Sequence, residues 1–186
     1  MCTFNKNLHN LKTNKTYKII VRPHPQEVRH FKEKFDRLQE KYKNNKNIEI
    51  QTDFSKNDTV FKADMLITDW SSIGYEYAYT TKKPVVFINT PMKIMNPNYK
   101  DIDVEPINIW SRDIIGKSLD VNSLVKINET IEYLFKNEKK YAKEIEKLLN
   151  DSIYNLGKSA EKGALYLVDI VKESIEKRKK ENEKNK

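Results

Sequence analysis

The residues best suited to chemistry form a polar turn, Thr68-Asp69-Trp70-Ser71-Ser72, between an apolar run and a helical pattern. The start of a helix attracts anions, because its first N–H groups lack partners within the helix and its dipole is positive at that end. Thr68, Asp69, Ser71 and Ser72 are therefore candidate phosphate-binding residues. The alternative, that Asp69 or Ser71 only caps the helix, stays open at this point.

A carboxylate lies one turn further along the same predicted helix. Glu76 is too far from Ser71 and Ser72 to complete a capping box with either, because that motif needs the acid three residues on. On a helix that begins against a phosphate, a carboxylate at this place can accept hydrogen bonds from ribose hydroxyls. Glu76 is thus a candidate ribose-binding residue, and a surface carboxylate without a role is the alternative.

A second polar turn, Arg22-Pro23-His24-Pro25, follows a predicted strand over residues 17–21. Its two prolines hold the turn extended and stiff, so that a permanent cation and a titratable imidazole are presented at fixed positions. His24 can act as a general acid or base or donate to a phosphate, and a packed turn histidine is the alternative. Because parallel strands end at one edge of a sheet, we expect this turn and the Ser71-Ser72 turn at the same edge, which favours function.

Two further cations flank Gly116 in a long region, residues 89–118, that is punctuated by proline and predicted to be irregular. Arg112 and Lys117 are candidates for contact with phosphates. Long loops inside compact domains are usually functional or mobile.

Hydrophobic periodicity predicts the elements that position these groups. Residues 65–68 are apolar without alternation, which is typical of a strand buried on both faces. Gly74 is expected to let the backbone or a ligand approach closely. Strands that alternate with helices over residues 17–136 predict a Rossmann-like three-layer α/β unit with a mainly parallel sheet. The predicted strands are 17–21, 48–50, 65–68 and 85–88, and the predicted helices cover 28–42, 57–63, 73–81, 120–134, 141–149 and 165–175.

Composition excludes several classes of protein. The single cysteine, Cys2, rules out an internal disulfide framework and favours a reducing compartment, so a cytoplasmic protein is expected. Four glycines leave no room for a dinucleotide or Walker phosphate loop, and no cluster has metal-ligand spacing. No cofactor is expected. The net charge of +8 fits an anionic partner, but much of it comes from lysines interleaved with glutamates, which favours solvated helix faces.

Taken in order, three segments resemble the CDP-glycerol:poly(glycerophosphate) glycerophosphotransferase family, whose enzymes build bacterial teichoic acids and related capsule polymers. They are Arg22 to Pro25, Ala63 to Ala78 with its Thr-Asp-Trp-Ser-Ser turn, and Pro84-Val-Val-Phe87. The resemblance covers most of residues 17–172 and implies the C-terminal, donor-binding half of a GT-B fold. A tryptophan at position 70, where better-known members have tyrosine, implies a divergent branch.

The resemblance implies a role for each candidate residue. His24 would be catalytic, contacting the donor pyrophosphate or helping the leaving group, while Ser71 and Ser72 hold phosphate and Glu76 holds the ribose. The substrate-binding set would also contain Arg22, Thr68, Asp69 and Arg112. The implied reaction is attack by a terminal hydroxyl of an anionic polymer on the alditol-bearing phosphate of CDP-glycerol or CDP-ribitol, with release of CMP.

The expected organisation is a flexible arm or linker over residues 1–16, a nucleotide-donor-binding domain over 17–176 and a charged tail over 177–186. Because GT-B enzymes close two domains around their substrates, the resemblance implies an N-terminal partner domain that carries the acceptor site. Peripheral association with the inner face of the membrane is a further expectation, and nucleic acid is not an expected partner. Two alternatives stay open: a GT-B glycosyltransferase domain that uses a nucleotide sugar, and a noncatalytic module that binds a nucleotide or a partner.

Overall fold

The computed structural model describes residues 17–55, 58–92, 96 and 98–184. The predicted arm, residues 1–16, and the predicted helix start at Asn57 lie outside this part of the chain. The chain divides into two compact units, Met1–Ile145 and Glu146–Lys186, and all candidate site residues belong to the first.

Parallel strand pairs form the frame of the first unit. One sheet has the order β1-β2 and the other the order β3-β4-β5, and every pairing is parallel. The predicted α/β class with parallel sheets is therefore confirmed, although the described strands pair in two sheets rather than one. The strands are β1 (Ile19–Val21), β2 (Ile48–Ile50), β3 (Leu66–Thr68), β4 (Val85–Asn89) and β5 (Gly116–Asp120).

Helices connect the successive strands, as expected for parallel pairing. Short 3-10 helices cover Tyr99–Asp101 and Val121–Lys126. The α-helices that begin in the first unit are α1 (Pro25–His30), α2 (Lys32–Tyr42), α3 (Asp58–Lys62), α4 (Ile73–Thr81), α5 (Ile107–Trp110), α6 (Arg112–Ile115), α7 (Ile127–Lys136) and α8 (Glu138–Ser152).

The most deeply buried strand is β4, whose residues Val85 to Ile88 are all buried. It is central in its sheet, with β3 on one side and β5 on the other. The strand predicted over residues 65–68 is present as β3, but the expected burial on both faces is not, because Leu66 to Thr68 are only half-buried. Since β3 is an edge strand of this sheet, its apolar run is covered less completely than that of β4.

The amphipathic pattern over residues 28–42 forms two helices rather than one. The break is at Phe31, whose backbone angles (φ −127°, ψ 43°) are not helical, and its side chain is 53% exposed instead of facing the core. Beyond the break, Phe35 and Leu38 pack with Val21 of β1 and Ile48 of β2 in a small core of their own. Both buried helical residues of this core come from α2, which begins after the break.

The region 89–118, predicted to be irregular, contains α5, α6 and the start of β5. The sequence Gly116-Lys-Ser-Leu-Asp120 has almost no apolar pattern, and it is a strand because it pairs along the whole of β4. Asp120 was predicted to cap a helix, but it ends β5 and its carboxylate accepts a hydrogen bond from Asn89 Nδ2 at 3.0 Å. The α-helix that follows begins only at Ile127, after a 3-10 turn.

The second unit contains the helix α9 (Ser159–Lys184), which extends into the predicted charged tail as far as Lys184. Within the described residues, no helix combines the length and the hydropathy that crossing a bilayer requires.

Candidate functional site

The turn after β3 leads directly into α4. Ser72 occupies the N-cap position, but within the described part of the chain its side chain makes no capping hydrogen bond. Ser71 Oγ accepts only a long hydrogen bond, 3.5 Å, from the Ile73 N–H. Both serines are exposed. The hydroxyl groups predicted to bind phosphate are therefore accessible at the positive end of a nine-residue helix.

Glu76 lies in the first turn of α4 and is exposed. Its Oε1 accepts a hydrogen bond of 3.3 Å from Ser72 Oγ. The structure thus brings the predicted phosphate and ribose residues into direct contact. Because an ionised carboxylate can accept several hydrogen bonds, Glu76 keeps capacity for ligand hydroxyls.

Gly74 serves packing rather than ligand approach. A Cβ atom at this position would lie 2.8 Å from Phe87 Cε1 and 3.2 Å from Thr68 Cγ2. The missing side chain therefore lets α4 lie directly on β3 and β4, which fixes the height of the Ser71-Ser72 turn above the strands.

Arg112 is placed differently from the sequence-based expectation of a cation in a loop. It lies in the short helix α6 and is only 3% exposed. Its guanidinium carbon is 3.8 Å from the ring centre of Trp70 and 4.7 Å from that of Phe87. Its Nε, Nη1 and Nη2 atoms are buried and have no hydrogen-bond partner among the described residues. Burial lowers the pKa of Arg112, against smaller opposing effects from Tyr75, Asp113 and Asp69.

Hydrogen bonds hold this neighbourhood together. Trp70 Nε1 donates to the Thr90 carbonyl at 2.8 Å, which ties the turn to the end of β4. Ser111 is fully buried, and its Oγ lies 3.2 Å from the hydroxyl of Tyr75 on α4. Burial raises the pKa of Tyr75, while the Ser111 hydrogen bond and the charge of Arg112 lower it in part. Ser111, the residue next to Arg112, is thereby hydrogen-bonded to α4, the helix that begins at the phosphate turn.

Arg22 lines a cavity of about 580 Å³ at the carboxyl ends of β1 and β2. Its Nη1 donates to Thr59 Oγ1 at 3.3 Å, and its guanidinium lies 5.5 Å from the ring centre of Phe54. Thr59 Oγ1 donates in turn to Gln51 Oε1 at 2.9 Å, and Gln51 Nε2 donates to Glu49 Oε1 at 2.7 Å. This chain of three hydrogen bonds fixes the orientation of the Gln51 amide and holds one edge of the Arg22 guanidinium in place.

His24 is exposed and occupies the N-cap position of α1. Its Nδ1 accepts a hydrogen bond from the Gln26 N–H at 3.2 Å. With Nδ1 as an acceptor, the neutral ring carries its proton on Nε2, so that Nε2–H is available to donate outward. The capping role does not conflict with a phosphate-donor role, because the two use different nitrogens.

Sequence reasoning did not single out Trp70, Tyr75, Ser111 or Thr59. Each of them contacts a residue at least 20 positions away, as Trp70 contacts Thr90 and Arg112, and no local sequence pattern indicates such pairs. Lys117, the other loop candidate, is a residue of β5. The part of the chain that the structure describes contains no group of three or more His, Cys, Asp or Glu side chains able to hold a metal ion.

The fold and site define a parallel α/β domain with an accessible helix start, flanking hydroxyls and a carboxylate one turn along. Residues 3–99 match the model of the family CDP-Glycerol:Poly(glycerophosphate) glycerophosphotransferase, a segment that contains both polar turns, α4 and β4. The chain belongs to this family, and its activity type is that of a glycerophosphotransferase. Comparisons with curated proteins and with solved structures found no match.

Proposed function

We propose that this chain is the donor-binding part of an alditol-phosphate transferase that uses CDP-glycerol or CDP-ribitol. The observation that carries the proposal is the start of α4: two exposed serines and an exposed glutamate lie together at the positive end of a helix, inside the segment that matches the family. Such an end binds anions through backbone N–H groups and the helix dipole. A CDP-linked alcohol supplies both a pyrophosphate for that end and ribose hydroxyls for the carboxylate.

Each site residue has a separate task in this proposal. Ser71 and Ser72 bind the pyrophosphate through hydroxyl and N–H groups, with Thr68 and Asp69 shaping the turn. Glu76 accepts hydrogen bonds from the ribose.

The cations complete the assignment. Arg22 contributes a fixed positive charge from the cavity beside β1 and β2. His24 donates Nε2–H to a phosphate oxygen and helps CMP to leave. Arg112 supports phosphate binding from within the fold.

The transfer itself is a displacement at the alditol-bearing phosphate, whose transition state needs charge stabilisation and a base for the attacking hydroxyl. In the proposed scheme these residues supply the charge stabilisation. A complementary acceptor-binding domain of the GT-B type supplies the base and the hydroxyl of an anionic cell-envelope polymer such as teichoic acid or capsule. This scheme places the bacterial enzyme in the cytoplasm, at the inner face of the membrane, with residues 17–176 as the donor-binding domain and residues 177–186 as a charged tail.

Titration calorimetry with CDP-glycerol, CDP-ribitol and a UDP-sugar tests the proposed function. We expect binding of at least one CDP-alcohol and weaker or no binding of the UDP-sugar. Binding of the UDP-sugar alone would reject the CDP-alcohol assignment in favour of a glycosyltransferase domain. A chain that binds none of the three would instead be a noncatalytic module.

Variants test the site with matched controls. Glu76→Ala is expected to weaken CDP-alcohol binding by roughly 10- to 150-fold, because a charge-assisted hydrogen bond contributes roughly 1.5–3 kcal/mol. Its control is Glu129→Ala, which removes an exposed acid from the first turn of α7. His24→Asn keeps an oxygen that can cap α1 and is expected to lose affinity without loss of helix, whereas His30→Ala, at the other end of α1, retains affinity. If Glu76→Ala and His24→Asn bind as the parent does, the site assignment is wrong.

A further inference from the structure

The guanidinium of Arg112 is energetically unusual. A buried cation without hydrogen bonds carries a large desolvation cost, and cation–π contacts return only part of it. Nearby acids do not neutralise this cation by direct contact: the Asp113 carboxylate accepts the N–H of Ser118 at 2.8 Å, and none of the three buried guanidinium nitrogens has a hydrogen-bond partner among the described residues. Among the described residues, the guanidinium is thus buried without a hydrogen bond, while Asp113 and Asp69 offset part of its desolvation through space.

This charge lies against the phosphate turn. The guanidinium stacks on Trp70, the residue directly before Ser71, and Trp70 is fixed in turn by its bond to the Thr90 carbonyl. Ser111, adjacent to Arg112, is fully buried and in contact with Tyr75 of α4. Because both sides are held, the guanidinium cannot reach an exposed ligand without breaking these contacts.

We propose that Arg112 increases the affinity of the turn for diphosphates through its charge rather than by touching them. The positive charge behind Trp70 adds to the positive end of α4, and a diphosphate bound at Ser71 and Ser72 would be attracted by a buried cation that has no hydrogen-bond partner among the described residues. The interaction passes through a protein interior of low dielectric constant, so it is stronger than in water and weakly screened by salt. This inference rests on the proposed function and specifies which part of the donor Arg112 serves.

The experiment compares CDP-glycerol with cytidine, which lacks phosphate, on the parent chain and on Arg112→Met. Methionine fills the space between Trp70 and Phe87 without charge, and Arg37→Met is the control, since it removes an exposed arginine from α2. We expect the CDP-glycerol dissociation constant of Arg112→Met to rise about tenfold, a change of about 1.4 kcal/mol, with the cytidine constant unchanged. We also expect its melting temperature to equal or exceed that of the parent, because replacing a buried ion by an apolar side chain is often neutral or stabilising.

Arg112→Lys keeps the charge and is the second variant, informative even if Arg112→Met does not fold. If Arg112→Lys keeps most of the affinity for CDP-glycerol, Arg112 acts through its charge. If the affinity of this variant for CDP-glycerol falls about tenfold or more, the inference is overturned. Equal losses of CDP-glycerol and cytidine in Arg112→Met would show a structural role, and unchanged CDP-glycerol binding would also overturn the inference. If the parent chain does not bind CDP-glycerol, the proposed function itself is refuted. If the parent and the Arg112 variants all bind CDP-glycerol with the same affinity, only the proposed role of Arg112 is refuted.

Discussion

Replacing Gly74 by alanine tests whether the close approach of α4 to the sheet is a real constraint. The new Cβ would lie 2.8 Å from Phe87 Cε1, a distance at which atoms must move. Phe87 is 1% exposed and its ring also contacts Tyr75 and Arg112, so that it has little freedom to shift. Overpacking of this kind costs about 1–3 kcal/mol, against a gain of at most about 1 kcal/mol in helix propensity. We expect a net loss of about 1–2 kcal/mol in the free energy of unfolding.

Gly163→Ala is the matched control, because Gly163 lies within α9 and a Cβ there would have nothing within 4 Å. The control is expected to gain about 0.5–1 kcal/mol from helix propensity alone. Urea unfolding followed by circular dichroism measures both variants, and tryptophan fluorescence reports on the first unit, which contains Trp70 and Trp110. If Gly74→Ala has the same free energy of unfolding as the parent, α4 can move away from β4 without loss of stability. Gly74 would then not fix the position of the Ser71-Ser72 turn above the strands.

Two further predictions concern alkaline stability and the position of Arg22. Burial raises the pKa of Tyr141 to about 12, against about 10 in an unfolded chain. The contribution of this residue to the free energy of unfolding is therefore fully present below pH 10. Between pH 10 and 12 it falls by roughly 1.4 kcal/mol per pH unit, because only the unfolded chain loses the proton there. Tyr141→Phe should lack this part of the slope in urea unfolding over that range, and an unchanged slope would contradict it. Thr59→Val removes the hydroxyl between Arg22 and Gln51 and should weaken CDP-glycerol binding about fivefold, with Thr59→Ser near the parent; equal binding by both variants would show that Arg22 needs no such support.

Local patterns were sufficient for much of the fold. The strands β1 to β4 and the helix α4 form where apolar runs and periodicity predicted them. The helix α4 ends at Thr81 and is followed by Lys82, whose left-handed backbone (φ 59°) lies directly before Lys83-Pro84. The parallel α/β class followed from that alternation.

Features that depend on partners distant in sequence escaped prediction. The strand β5 has a polar sequence and is held by its pairing with β4. The pattern over residues 28–42 also gave no sign of the break at Phe31. For the site, the sequence predicted correctly that Ser71, Ser72 and Glu76 lie together at the start of a helix. The burial of Arg112 could not be predicted, because it depends on rings 25 and 42 positions away in sequence, those of Phe87 and Trp70.

The position of Arg112 follows from a backbone contact rather than from any property of the arginine itself. A Cβ at Gly116 would lie 1.8 Å from the Val85 carbonyl oxygen, so only glycine allows β5 to begin beside β4 at this register. Because α6 ends one residue earlier, at Ile115, the same contact places Arg112 over Phe87 and against Trp70. Gly74 lets α4 approach the same aromatic ring, because a Cβ there would lie 2.8 Å from Phe87 Cε1. Two glycines, 42 positions apart in sequence, thus allow the close packing that brings the buried cation and the helix start onto one aromatic cluster, and electrostatic support of a bound diphosphate depends on that proximity.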